Sequence, residues 1–228
     1  MTILLAIETS TSACSVALLH NNDVQVRHEI VARQHAKCVL PWVDALLVDA
    51  GLSLAQLDAI AVGRGPGGFT GVRIGIGIVQ GLAFGVDIPV IPVSSLQVLA
   101  QTVARTHAVK QVLIAVDAKM REVYWAAYVE SAEGLMQPEI VDVICLPENV
   151  EIPANEAMWT PVGDAWHVYQ SILQSQAQGV NLTALSEALP HAQDLLTIAV
   201  DHYRKGEMVA AEVALPIYLR GKEAWRKS

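Results

Sequence analysis

Apolar and polar positions along the chain follow two rhythms, and the order in which they alternate outlines a fold. Ile3–Ile7 is an apolar run ending on Glu8, which predicts a buried strand. After the small hydroxylated loop Thr9-Ser10-Thr11-Ser12, a second strand is predicted over Cys14–Leu19. His20-Asn21-Asn22-Asp23 reads as a hairpin turn, and Val24–Ile30 alternates as a third strand. The period then lengthens. Gln34–Ala50 sets Cys38, Val39, Trp42, Val43, Leu46 and Leu47 at helical spacing, with Gly51 as its stop. Pro41 is expected to bend that helix or to delay its start, because proline removes a helical hydrogen bond. A strand over Leu57–Val62, a glycine-rich helix over Gly71–Gly85, a strand over Pro89–Val93 and a helix over Ser94–Arg105 follow.

The pattern then restarts. Val112–Val116 is an apolar strand ending on Asp117, followed by strands over Val123–Val129 and Glu139–Cys145 and a shorter one near Trp159–Val162. Helices are predicted near Ala165–Gln176 and over Ala192–Lys205. Leu4-Leu5-Ala6-Ile7-Glu8 and Leu113-Ile114-Ala115-Val116-Asp117 both place an acid where a strand meets a loop and a second strand. Three strands followed by alternating helices and strands, twice over, predict an α/β chain with a duplicated ribonuclease-H-like fold. The expected lobes are 1–107, which carries the association helices, and a smaller lobe at 108–228.

The segment Gly63–Gly85, GRGPGGFTGVRIGIGIVQGLAFG, holds Gly63, Gly65, Gly67, Gly68, Gly71, Gly75, Gly77, Gly81 and Gly85 of the chain's 15 glycines. Each helical glycine costs roughly 1 kcal/mol relative to alanine. Such a helix therefore needs compensating contact, and its glycines fall into two i, i+4 rows, Gly71/Gly75 and Gly77/Gly81/Gly85, that let another backbone come close. Apart from Arg73 and Gln80 the helix is apolar all round, so it is expected to be buried on a second side by another protein surface. Between Arg73 and Asp87 the apolar run reads as too short and too interrupted to cross a bilayer.

The preceding loop is close to a Walker A motif but carries Phe69 where the phosphate-binding lysine belongs. A backbone nest at the helix N-terminus could still hold an anion, with Glu8, Thr9, Arg64, Gly67 and Gly68 as candidate contacts. The competing reading of these glycines is a tight turn with close packing.

Composition narrows the classes. The 228 residues are 53% hydrophobic and 17% charged, and a mean hydropathy of +0.38 suggests apolar surface buried between subunits. No basic leader precedes the first strand, and Cys14, Cys38 and Cys145 lack CxxC spacing, so the expectation is reduced thiols in the cytoplasm. The net charge of −8 argues against an independent grip on nucleic acid. No two of the 7 histidines are spaced three or four apart, and no GxSxG element is present. Glu8 and Asp117 could hold a metal if they converge; equally, each could cap a turn.

One resemblance covers nearly the whole chain. The run Gly65-Pro66-Gly67-Gly68-Phe69-Thr70-Gly71-Val72-Arg73-Ile74-Gly75 resembles the signature of the bacterial TsaB, or YeaZ, family. Ile7-Glu8-Thr9-Ser10, His35…Leu40-Pro41, Asp117-Ala118-Lys119-Met120-Arg121-Glu122-Val123-Tyr124 and Pro216-Ile217-Tyr218-Leu219-Arg220 also match; Gly68 departs from the usual serine. The resemblance implies a two-lobed fold of the actin, sugar-kinase and heat-shock ATPase type. It further implies a non-catalytic role in threonylcarbamoylation of the tRNA adenosine beside the anticodon, for codons starting with A.

The implied partners are a transferase paralogue, TsaD, and an ATPase, TsaE, with homodimerisation when alone and tRNA contacted only indirectly. The chain is expected to carry no cofactor of its own, with the interfaces of the complex as the candidate place for ATP or ADP. In the paralogue, histidines at two positions after the strand matching Ile91-Pro92-Val93 bind a metal; Ser95 and Leu99 stand there here, which implies no metal site. The association surface implied by the resemblance comprises His35, Cys38, Val39, Trp42, Val72, Arg73, Ile76, Gly77 and Gln80. Two other classes remain: a metallopeptidase, disfavoured by the missing histidines, and a small-molecule kinase with Glu8 and Asp117 in a nucleotide cleft.

Overall fold

A computed structural model of the chain describes residues 2–31, 33–154, 158–177 and 183–220. The first three strands are β1 (Leu4–Glu8), β2 (Ala13–His20) and β3 (Asp23–Ile30). They form an antiparallel meander, and the β2–β3 turn puts Asn21 and Asn22 at φ 54° and 64°, as a two-residue hairpin requires. Next come α1 (His35–Asp49), β4 (Ala59–Gly63), α2 (Phe69–Val86), β5 (Val90–Val93) and α3 (Ser95–His107). Strands β4 and β5 add in parallel to β1, giving the sheet order β3-β2-β1-β4-β5.

Alternation along β1 decides what covers the sheet. Leu5 and Ile7 face α1 and α2, whereas Leu4 and Ala6 face a helix from the far end of the chain, α6 (Ala192–Lys205). α1 runs unbroken through Pro41, so the later start is not found. Pro41 and Lys37 both lie on its exposed side, where water can take the Lys37 carbonyl that the missing N–H leaves free.

The chain divides into two units, Met1–Leu99 with Pro190–Ile217, and Ala100–Leu189 with the tail from Tyr218. This corrects the expected lobes 1–107 and 108–228: the boundary falls inside α3, and residues 190–217 belong with the first unit. The cause is α6, whose apolar stripe Ala192, Leu195, Leu196, Ile198 and Ala199 closes the face of the first sheet formed by Leu4, Ala6, Ala17, Ala59, Ala61, Ile91 and Val93.

The second unit repeats the meander with β6 (Gln111–Lys119), β7 (Glu122–Glu130) and β8 (Met136–Cys145), and β9 (Thr160–Val162) joins parallel to β6 in the order β8-β7-β6-β9. Its core sets Leu113, Ala115, Val123, Trp125 and Ala127 against Trp159, Trp166 and Leu173. The single helix expected near Ala165–Gln176 is two short ones, α4 (Ala165–Val168) and α5 (Gln170–Gln176). Each unit is thus a ribonuclease-H-like arrangement, and the duplication read from the sequence is present.

Candidate functional site

Two groups of sequence-predicted residues meet the first unit differently. The loop group is closed on itself. The Glu8 side chain is 1% exposed; its Oε1 accepts from Ser10 N–H at 2.6 Å and its Oε2 from Ser95 Oγ at 2.9 Å. Ser95 Oγ in turn accepts from Gly65 N–H at 3.2 Å. Burial pushes the Glu8 carboxyl upward, against hydrogen bonds from Ser10 and Ser95 that work the other way.

Thr9 is buried and donates from Oγ1 to Gly71 O at 2.8 Å, while Gly68 N–H donates to Ser10 O at 2.7 Å. The glycines exist to admit this strand end. A Cβ at Gly63 would overlap Glu8 Oε2, one at Gly67 would lie 2.6 Å from Ser10 O, one at Gly71 would overlap Thr9 O and one at Gly75 would overlap Thr9 Oγ1. Glu8, Thr9, Gly67 and Gly68, expected at an anion, are therefore brought together but spent on each other. Arg64 is anchored by its backbone, donating to Val93 O and accepting from Ile217 N–H, and its buried Nε has no hydrogen-bond partner among the described residues.

Asp117 answers Glu8 in the second unit. Lys119 Nζ lies 2.6 Å from its Oδ2, Tyr169 OH donates to Oδ1 at 3.4 Å, and its N–H donates to Asp164 Oδ1 at 2.8 Å. Burial alone would raise its carboxyl, but the hydrogen bonds and charge of Lys119 outweigh that and hold it below the usual range. No group of three or more His, Cys, Asp or Glu among the described residues has the placement of a metal site. Ser95 serves Glu8, and Leu99 is buried.

The second group lies on α1 and α2, side by side on one sheet face. The structure corrects part of the expected surface. His35, Val39, Val72 and Ile76 are buried within the first unit, His35 with Nε2 3.2 Å from Ala13 O, because their positions fall on the inward stripe. Cys38 and Trp42 are half-buried against that core, and Gln80 is held inward by donating to Ala214 O at 3.1 Å. Arg73 and Gly77 do point outward.

The outward row of α2 is Phe69, Arg73, Gly77, Gly81 and Gly85, with Phe84 beside it. Phe69 is 51% and Phe84 77% exposed, and the Arg73 guanidinium sits 3.3 Å over the Phe69 ring. On the neighbouring α1, Leu40 and Val48 are also exposed. A Cβ at Gly77, Gly81 or Gly85 would meet nothing within 4 Å. Phe69, Gly81, Phe84 and Gly85 of this outward face are not among the residues expected from the sequence, although the Gly77/Gly81/Gly85 row already marks that face. With 18 residues, α2 also reaches the length and apolarity of a membrane span, contrary to the shorter run expected; its inward stripe is nevertheless committed to the sheet.

Comparison with known proteins fits this architecture. Residues 18–228 match the family model described as TsaD: tRNA N6-adenosine threonylcarbamoyltransferase. That match, over a fold of two ribonuclease-H-like units, makes the chain a relative of the threonylcarbamoyltransferases. Within that class it belongs to the TsaB family. It is 42% identical to the tRNA threonylcarbamoyladenosine biosynthesis protein TsaB of Escherichia coli, covering 98% of this chain and 97% of the relative. The TsaB of Haemophilus influenzae is also 42% identical, with 98% and 96% covered. The solved structure of YeaZ from Pseudomonas aeruginosa superposes with a TM-score of 0.89 at 44% identity, covering 96% of this chain and 100% of that one.

Proposed function

We propose that this chain acts in tRNA threonylcarbamoyladenosine biosynthesis as the non-catalytic partner of a TsaD-type transferase, and that it pairs through the outward face of α1 and α2. The observation that carries the reading is the row Gly77, Gly81 and Gly85. Among the described residues nothing lies where a Cβ on these exposed helical glycines would sit, yet each costs roughly 1 kcal/mol relative to alanine. A helix from outside packing along that row supplies the missing reason, and Phe69, Phe84, Leu40 and Val48 supply the apolar rim. Alone, the chain pairs with a second copy through this face; the paralogue displaces that copy.

The catalytic step belongs to the transferase, and a TsaE-type ATPase joins the assembly. The packing of Thr9 and Ser10 against the glycine loop supports the reading that the chain has no nucleotide of its own, with ATP or ADP held at subunit junctions. With a net charge of −8 the chain leaves tRNA to its partners in the cytoplasm.

Light scattering on a sizing column tests this, with the chain alone and then mixed with its TsaD-type paralogue. The expected result is a homodimer that converts to a one-to-one heterodimer, with Gly81→Glu reducing both associations at least tenfold while leaving the fold intact. A monomer indifferent to the paralogue, with tight ATP binding by the lone chain, would overturn the proposal in favour of a small-molecule kinase.

A further inference from the structure

The end of α6 that covers the first sheet lands on a polar row. In register across the strands, His28 of β3 lies beside Ser15 of β2, and Ser15 beside Glu8 of β1. Leu4, Ala6, Ala17 and Val26 of these strands pack against α6, so strict alternation places Glu8, Ser15 and His28 on that same face. Three contacts fix the helix start there. Ala192 N–H donates to Ser15 Oγ at 2.9 Å, Gln193 N–H donates to the Nδ1 of the N-cap residue His191 at 3.2 Å, and the His191 ring stacks on His28 with centroids 4.2 Å apart and planes 18° from parallel.

The last two of these depend on the proton state of an imidazole. His191 Nδ1 accepts from Gln193 only while that nitrogen carries no proton. A proton there removes the cap and sets a positive charge at the positive end of the helix dipole. It also sets that charge against a second imidazole. His28 Nδ1 is buried without a partner among the described residues, so protonation would bury an unpaired charged donor. Burial already holds His28 below the usual histidine range.

The opposing groups are two buried carboxylates, Glu8 on β1 and Asp194 in the first turn of α6. Glu8 is engaged by Ser10 and Ser95. Arg27 and Glu29 alternate to the other face, where Arg27 pairs with Asp49 of α1. β4 and β5 bring only Gly63 and Val93 to this end of the sheet, and the N-terminus of α3 brings serines.

We propose that His28 and His191 form an acid-sensitive latch, which holds the N-terminal end of α6 on the first sheet while both rings are neutral and releases it when either takes a proton. The sign follows from the lowered folded-state value of His28. The latch is intact above the unfolded histidine range, about pH 6.5, and is lost as pH falls through the lower folded value. Release bares Ser15 and the strand end that carries Glu8.

Amide hydrogen exchange on the full chain tests the latch, read as protection factors at pH 7.5 and 5.5. Ala192 and Gln193 are expected to lose protection by about tenfold, the most one proton can give per pH unit, while Ile114 of β6 holds its value. His191→Asn keeps a good cap that does not titrate, and His28→Phe keeps an aromatic stack. The double variant is expected to show equal protection at both pH values. Unchanged protection of Ala192 and Gln193 in the wild-type chain would overturn the latch. So would a wild-type loss in the double variant.

Discussion

Glu8 is held by a neighbourhood built to its shape. Ser10 and Ser95 satisfy its two oxygens, and Gly63 has no Cβ because Glu8 Oε2 fills that space. Its folded-state pKa is raised by burial from the ordinary 4.5. Between the unfolded and folded values the folded chain holds a proton that the unfolded chain has lost. Its contribution to stability is therefore full below about pH 4.5 and falls as pH rises through the folded value. Glu8→Gln is expected to remove that downward slope, read as urea midpoints between pH 4 and 8; a slope that persists assigns it to another group. His28, held low by burial, acts with the opposite sign, losing stability as pH falls. Cys14 is inert by comparison, since burial pushes its thiol up to about 12.

At the scale of the element, α2 shows one residue type put to two uses on opposite faces. Gly71 and Gly75 face the β1–β2 loop and admit Thr9, whereas Gly77, Gly81 and Gly85 face outward into open space. Alanine separates the two. Gly71→Ala sets a methyl against the Thr9 carbonyl and is expected to cost about 3 kcal/mol. Gly81→Ala meets nothing and is expected to gain about 0.5–1 kcal/mol in the isolated chain. Thermal or chemical denaturation of both variants reads the contrast, and equal effects would erase the distinction between the rows.

Both rows were visible in the sequence as i, i+4 spacings, but the phase of the helix was not. A helix with Ile74 and Ile78 at its flanks and Phe69 and Phe84 exposed is apolar in every direction, so its periodicity does not say which side faces the sheet. That is why Ile76 was expected outside and lies in the core. The strands fared better. Alternation and the turn residues Asn21 and Asn22 state a strand's face and its end locally, without reference to anything distant.

For the whole molecule, the duplication was legible and the division was not. Each meander announces itself in its own residues, but α6 is an amphipathic helix whose partner sheet lies far back in the chain, and no local pattern names that partner. The boundary expected at 107 consequently cuts the first unit in two. A fragment of residues 1–107 is expected not to unfold cooperatively, because Leu4, Ala6, Ile91 and Val93 lose their cover. The same fragment joined by a flexible linker to residues 190–217 is expected to recover a single sharp transition by circular dichroism. Cooperative unfolding of the short fragment would show that α6 is dispensable.

The return of α6 also places the first unit on a clock. A ribosome adds about 5–20 residues per second. Once Leu99 has been made, the stretch Ala100–Leu189 must still be polymerised before Pro190 begins the covering segment. For on the order of 10 s at those speeds, a nearly complete sheet waits with one greasy side bare. That interval is when a nascent-chain chaperone has most to do for this protein, and when slow codons across the second unit would cost the cell most.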